Sequence, residues 1–206
     1  MVPAYKLCYI TDRRALGAKP LLPRILEAAR AGVDLIQIRE KDIQARELVA
    51  LAQAAIDGAR ETNARIVVND RLDVALTLGA AGVHLGTSSM PPQAVRDFVS
   101  RDFLVGVSCH SLDEALEAQA GGADYLLLGP IFPTPSKFPF GPPLGLPTLK
   151  KVTAQITIPV LALGGITVER VNPCIESGAT GIAGISIFQD CDSVADRVRE
   201  LHSEFS

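Results

Sequence analysis

Three short polar clusters stand at the ends of apolar runs, and their residue types suit phosphate chemistry. The first is Gln37-Ile38-Arg39-Glu40-Lys41. Alternation along an extended chain sends Gln37, Arg39 and Lys41 to one side. Two cations and an amide there match a diphosphate better than a single carboxylate. The second cluster is Asn69-Asp70-Arg71. Asp70 is a candidate ligand for magnesium, which takes one or two carboxylates and completes its shell from phosphate and water. The third is Ser108-Cys109-His110, with a hydroxyl and an imidazole on alternate positions. Any one of these alone reads better as a solvated charge or a cap; their common placement at strand ends is what points to a site.

A second signal concerns phosphate alone. Gly164-Gly165-Ile166-Thr167 follows an apolar run and opens a helical pattern, and Gly184-Ile185-Ser186 closes the last run. Glycines admit close approach of an anion to the backbone, and a helix start offers unpaired N–H groups. Residues 131–145, IFPTPSKFPFGPPLG, hold five prolines and two glycines, which excludes a helix or a central strand. A loop this long is commonly a lid or binding loop, and Thr134, Ser136 and Lys137 give it two hydroxyls and a cation. The combination describes two phosphate-binding regions with a divalent cation between them. An enzyme that joins or rearranges phosphorylated small molecules needs such a face.

These clusters need strands to carry them. Apolar runs at 6–12, 35–40, 65–70, 82–86, 104–110, 125–130, 160–165 and 181–186 read as strands, several of them continuous as in sheets buried on both faces. Between them lie amphipathic stretches, clearest at 45–60, where Leu48, Leu51, Ala52, Ala55 and Ile56 recur at helical spacing. The stretch 111–121 opens with Ser111 and, three residues on, Glu114, a capping-box pattern. The phrases Ala31-Gly32-Val33-Asp34, Ala80-Ala81-Gly82-Val83, Gly121-Gly122-Ala123-Asp124 and Ser177-Gly178-Ala179 read as helix ends turned by a left-handed glycine. Eight strand–helix units in 206 residues predict one α/β domain over 1–206, a compact (β/α)8 TIM barrel. In such a barrel the carboxyl ends of the strands form the active face, with phosphate frequently held after strands seven and eight.

Composition removes other classes. A net charge of -3 offers no footprint for nucleic acid or an anionic membrane. No apolar run reaches the roughly 20 residues of a membrane helix, and the start, MVPAYKLCYITD, lacks a signal-peptide pattern; a cytoplasmic protein is expected. The four cysteines are scattered singly and read as buried thiols, and three dispersed histidines make no metal cluster. The helical faces carry no pattern that sets an oligomeric state.

The phrases YITD, IQIREKD, VVNDRLDVAL, GVHLG, GVSCHS, LGPIFPTPSK, LALGGI and GIAGIS occur in an order and at intervals that resemble the thiamine phosphate synthase superfamily over nearly the whole chain. The resemblance implies an eightfold barrel. It also implies coupling of hydroxymethylpyrimidine diphosphate to a thiazole phosphate, with pyrophosphate released. Carried over, Gln37, Arg39 and Lys41, with Ile38 and Glu40 in the same stretch, would hold the pyrimidine diphosphate beside Asn69. Lys137 would neutralise the leaving group, Asp70 would bind magnesium and Ser108 would face the pyrimidine. Thr134, Pro135 and Ser136, with Gly164, Gly165, Ile185 and Ser186, would bind the thiazole phosphate.

One position departs from the pattern. The resemblance implies a second magnesium-binding aspartate three residues after GVHLG, where this chain has Ser89. A neutral hydroxyl is a poorer ligand, so the expected magnesium site is weakened but retains Asp70 and the diphosphate oxygens. The same gap admits two other readings. A related branch of the superfamily isomerises a thiazole phosphate without magnesium, and there His110 would serve as the acid/base. A non-catalytic barrel that binds thiazole phosphate is the third.

Overall fold

The computed structural model describes residues 5–134 and 142–205. Eight parallel strands close into a barrel in chain order. They are β1 (Leu7–Ile10), β2 (Leu35–Ile38), β3 (Arg65–Asn69), β4 (Gly82–Leu85), β5 (Leu104–Cys109), β6 (Tyr125–Leu128), β7 (Val160–Leu163) and β8 (Gly181–Gly184). The register Cys8↔Ala183 joins β1 to β8 and completes the ring. Outside it run α1 (Leu21–Ala31), α2 (Ala45–Ala59), α3 (Leu72–Leu78), α4 (Pro92–Arg96), α5 (Leu112–Ala120), α6 (Gly145–Thr153), α7 (Val168–Glu176), α8 (Ser186–Gln189) and α9 (Val194–Ser203).

Period-two alternation sorts each strand into two cores. Leu7, Tyr9, Ile36, Ile38, Val83, Leu126 and Leu128 face the helices and belong to the outer core. Cys8, Ile10, Leu35, Val67, Tyr125, Leu127 and Leu161 fill the inside of the barrel. Both faces are therefore dry, which is why these runs are continuous rather than alternating in hydropathy. The strands are shorter than the apolar runs suggest, because the polar residues at 39–41 and Asp70 already lie in the loops that follow.

Helix ends follow the repeated phrase in three of four cases. Gly32, Gly122 and Gly178 adopt positive φ, and Gly32 N–H donates to the carbonyl of Ala29 as α1 ends. The fourth is corrected: α3 ends at Gly79 (φ 61°), while Gly82 opens β4 against the Leu104 backbone. Ser111 caps α5 through the Glu114 N–H, but the Glu114 carboxylate accepts from the His110 N–H at 2.7 Å instead of closing the expected box. Cys8, Cys109 and Cys174 are buried free thiols and Cys191 is half-buried. Among the described residues no helix is long and apolar enough to cross a membrane.

Candidate active site at the carboxyl end of the barrel

The inward-facing register places His84 at the centre of the barrel mouth. Asn69 pairs with His84 across β3–β4, and Gly106 pairs with His84 across β4–β5. His84 is 1% exposed. Its Nε2 lies 2.9 Å from Ser108 Oγ and its Nδ1 lies 3.2 Å from the Tyr125 hydroxyl. Burial pushes its pKa from an ordinary 6.5 down to about 3, the nearby Asp70 carboxylate opposing and the Arg39 guanidinium assisting, so the imidazole is neutral. Neither His84 nor Tyr125 stood out in the sequence. The available signal was a histidine on the inward register of an otherwise apolar strand.

Around this histidine the structure gathers Gln37, Arg39, Asn69, Asp70 and Ser108 at the ends of β2, β3 and β5. Gln37 is buried, and its Nε2 has no hydrogen-bond partner. A buried amide donor left open costs about 1–3 kcal/mol, which a ligand acceptor would recover. Asp70 sits in the left-handed region at φ 59°, sparsely populated for a residue with a side chain. Its N–H donates to the His84 carbonyl at 2.9 Å, so the strained residue is tied to the end of β4.

Ser89 meets Asp70 directly. Its hydroxyl donates to Asp70 Oδ1 while the Gly86 N–H donates to Ser89 Oγ at 2.6 Å. Asn69 Nδ2 donates to Asp70 Oδ2 at 2.8 Å. Both carboxylate oxygens thus hold protein donors. Among the described residues no group of three acidic, histidine or cysteine side chains is arranged for a metal.

Other expected residues take different places. Ile38 packs its side chain into the outer core, away from the mouth. Glu40 turns back to the loop after β1, accepting from Thr11 Oγ1 at 2.6 Å and from the Arg13 N–H at 3.1 Å. Burial raises its pKa, against the lowering effect of those donors. It braces the mouth from behind, a role invisible in the sequence because its partners lie 27 and 29 residues away. Lys41 is exposed in the following turn.

His110 donates from Nδ1 to the Gly129 carbonyl, which leaves Nε2 as its acceptor when the ring is neutral. The neighbouring Cys109 faces the outer core, and burial pushes its thiol up to about 12, so it is no nucleophile.

The phosphate-type elements also converge on this end. Gly164 and Gly165 adopt φ 96° and 64°. A Cβ at Gly164 would stand 2.7 Å from Pro130, and one at Gly165 2.6 Å from the Pro133 carbonyl oxygen. Only glycine lets the turn after β7 lie against the loop after β6. Arg170 secures that contact, donating to the Gly165 carbonyl at 2.6 Å and covering the Phe132 ring at 4.7 Å. Ile185 and Ser186 form the start of α8, whose first N–H groups lack helical partners, as at every helix start. Thr134 is half-buried at the edge of the described loop, and Pro135, Ser136 and Lys137 lie outside the described residues.

The family model described as thiamine monophosphate synthase (TMP-TENI) matches residues 7–188. The chain is similar to thiamine-phosphate synthase of Chlorobium luteolum, 42% identical over 95% of this chain and 90% of that protein. It is also similar to thiamine-phosphate synthase of Roseiflexus sp. strain RS-1, 40% identical over 94% of this chain and 82% of that protein. Among solved structures, thiamine phosphate pyrophosphorylase from Pyrococcus furiosus superposes with a TM-score of 0.88 at 36% identity, covering 98% of this chain and 95% of that one.

Proposed function

The chain belongs to the thiamine monophosphate synthase family, and on that premise we propose that it is a cytoplasmic, single-domain transferase (residues 1–206). It couples hydroxymethylpyrimidine diphosphate to thiazole phosphate. The methylene carbon–oxygen bond breaks with its electron pair leaving on pyrophosphate, and the thiazole nitrogen lone pair forms the new carbon–nitrogen bond. The observation that carries this reading is the polar ring at the barrel mouth, with the open amide of Gln37 beside Arg39, Asn69 and Asp70.

Arg39, Lys41 and Lys137 would neutralise the diphosphate, and more strongly as negative charge grows on the leaving group than in the bound substrate. Gln37 Nε2 and Ser108 Oγ would orient the pyrimidine. The glycine turn at Gly164 and Gly165 and the start of α8 at Ile185 and Ser186 would take the thiazole phosphate through backbone N–H groups, with Thr134, Pro135 and Ser136 alongside.

The donor set fits magnesium in a restricted way. Asp70 is the one carboxylate in the cluster, and Ser89 and Asn69 are neutral groups already bonded to it. Asp70 would hold the ion together with substrate oxygens and water, so metal and diphosphate bind together rather than metal first. Bound there, magnesium supplies charge neutralisation to the departing pyrophosphate. The test is pyrophosphate release with both substrates, with and without magnesium, for the parent and Ser89→Asp. The parent should turn over with magnesium. The variant should reach half-maximal rate at about tenfold less metal, one added carboxylate contributing of order 1–2 kcal/mol. No turnover by the parent at any magnesium concentration would overturn the reading.

One feature favours a second activity to be assayed in parallel. The Gly129 contact gives His110 the tautomer with a bare Nε2, as metal-independent isomerisation of a thiazole phosphate would require. Isomerisation without pyrophosphate chemistry would make that the function.

A further inference from the structure

The hydrogen bonds of the barrel interior have a direction, and that direction ends at the mouth. Tyr125 is completely buried, with its hydroxyl against His84 Nδ1. Burial raises the phenol well above its ordinary range, so it keeps its proton. Among the described residues His84 is the one partner of that hydroxyl. Were His84 protonated on Nδ1, the phenol proton would have no acceptor, leaving a buried polar group unmade. With the phenol donating to Nδ1, the neutral ring carries its proton on Nε2 and donates to Ser108 Oγ. Both His84 nitrogens and the Tyr125 proton are then satisfied, and one proton of this chain remains to be aimed: that of Ser108.

We infer that His84 and Tyr125 are positioning residues that fix the Ser108 hydroxyl as a hydrogen-bond donor into the barrel mouth. The group it receives is an acceptor, either an unprotonated aromatic ring nitrogen or a diphosphate oxygen. A ligand presenting only an N–H there is disfavoured. That acceptor's identity rests on the proposed function; the direction of the chain does not.

Gly106 supplies the space the arrangement needs. A Cβ at Gly106 would collide with the Tyr125 ring and stand 2.6 Å from His84 Nδ1. The two rings lie 5.7 Å apart between centroids, and Tyr5 packs edge-on against Tyr125 from the other side at 5.9 Å. An imidazole turned over would put carbons where Nδ1 and Nε2 now meet Tyr125 and Ser108, so those two contacts hold the ring in this orientation.

Nitrogen-15 spectra of the unliganded protein test the direction without any assay, His110 and His202 being assigned by their single replacements. A protonated Nε2 and a bare Nδ1 on His84 are expected. A protonated Nδ1, or protons on both nitrogens near neutral pH, would overturn the inference. Binding of hydroxymethylpyrimidine diphosphate then tests the consequence. Tyr125→Phe should weaken it about fivefold in the parent and less than twofold in a Ser108→Ala background. Equal losses in both backgrounds would mean that Tyr125 acts on the barrel as a whole, and the positioning role would fall. If the parent fails to bind this ligand, the proposed function fails while the spectra still decide the direction of the chain.

Discussion

The two ends of this barrel use the same repeated unit for opposite purposes. At the amino end, two of the left-handed glycines, Gly32 and Gly122, are followed two residues later by an aspartate that ties neighbouring strands. Asp34 Oδ2 accepts the N–H groups of Lys6 and Leu7 at 2.9 Å each. Asp124 Oδ2 accepts the Val105 N–H at 2.7 Å and pairs with Arg96. At the carboxyl end the arrangement differs: Gln37 keeps an unpaired buried donor, and Asp70, held at positive φ, is bonded only to neutral side chains and has no cation among the described residues. Polar groups that close on one another stabilise; polar groups held apart and desolvated are available to a ligand.

The sharpest way to break the contrast is to remove one aspartate from each end. Asp70→Asn should lower kcat/KM by about 10²–10³, as loss of a transition-state charge contact does, while leaving the urea midpoint nearly unchanged. Asp124→Ala should do the reverse. It takes the counter-charge from the largely buried Arg96, which keeps only backbone carbonyls, and the acceptor from the Val105 N–H, and should cost about 3 kcal/mol of stability with kcat per folded molecule preserved. Equal effects of the two changes on stability would erase the distinction between the ends.

Gly106→Ala sits between the two ends and should affect both. The added methyl meets Tyr125 and His84 in a filled interior, so about 2 kcal/mol of stability should be lost. Because the displaced imidazole carries Ser108, ligand affinity should fall with it. Unchanged affinity in a destabilised variant would separate the interior from the mouth.

The sequence made the barrel legible because strands dry on both faces leave unbroken apolar runs, and polar residues that end such runs are conspicuous. Arg39, Asp70 and Ser108 are candidates on that ground, and the structure gathers them at the mouth. Gly82 is misread because Ala80-Ala81-Gly82-Val83 has the same composition as a true helix end, while the turn is made at Gly79, the residue just before that phrase. Glu40 and Ser89 act through partners that local periodicity does not reach: the loop after β1 for the first, Asp70 for the second. His84 escaped for a different reason. A single histidine in an apolar strand looks like a satisfied core residue, and its meaning lies in which neighbours satisfy it.

That histidine also makes the two ends separable by pH. Folded, the imidazole resists protonation down to about 3, whereas an unfolded chain takes the proton near the ordinary 6.5. Below that ordinary value the unfolded state binds the extra proton, so the stability present above it is lost as pH falls. Between pH 7 and 5.5 the expected loss is about 1.3 kcal/mol, from the protonation of one unfolded imidazole. Replacing His84 with Gln should flatten the parent's slope by that amount. Urea unfolding of both proteins at the two pH values reads the difference directly. A slope that survives the replacement would mean that the acid sensitivity resides elsewhere, and that Asp70 holds His84 closer to protonation than burial alone allows. A slope that disappears would mean that the neutral ring at the mouth is maintained at the expense of acid stability, a cost the paired aspartates at the amino end do not impose.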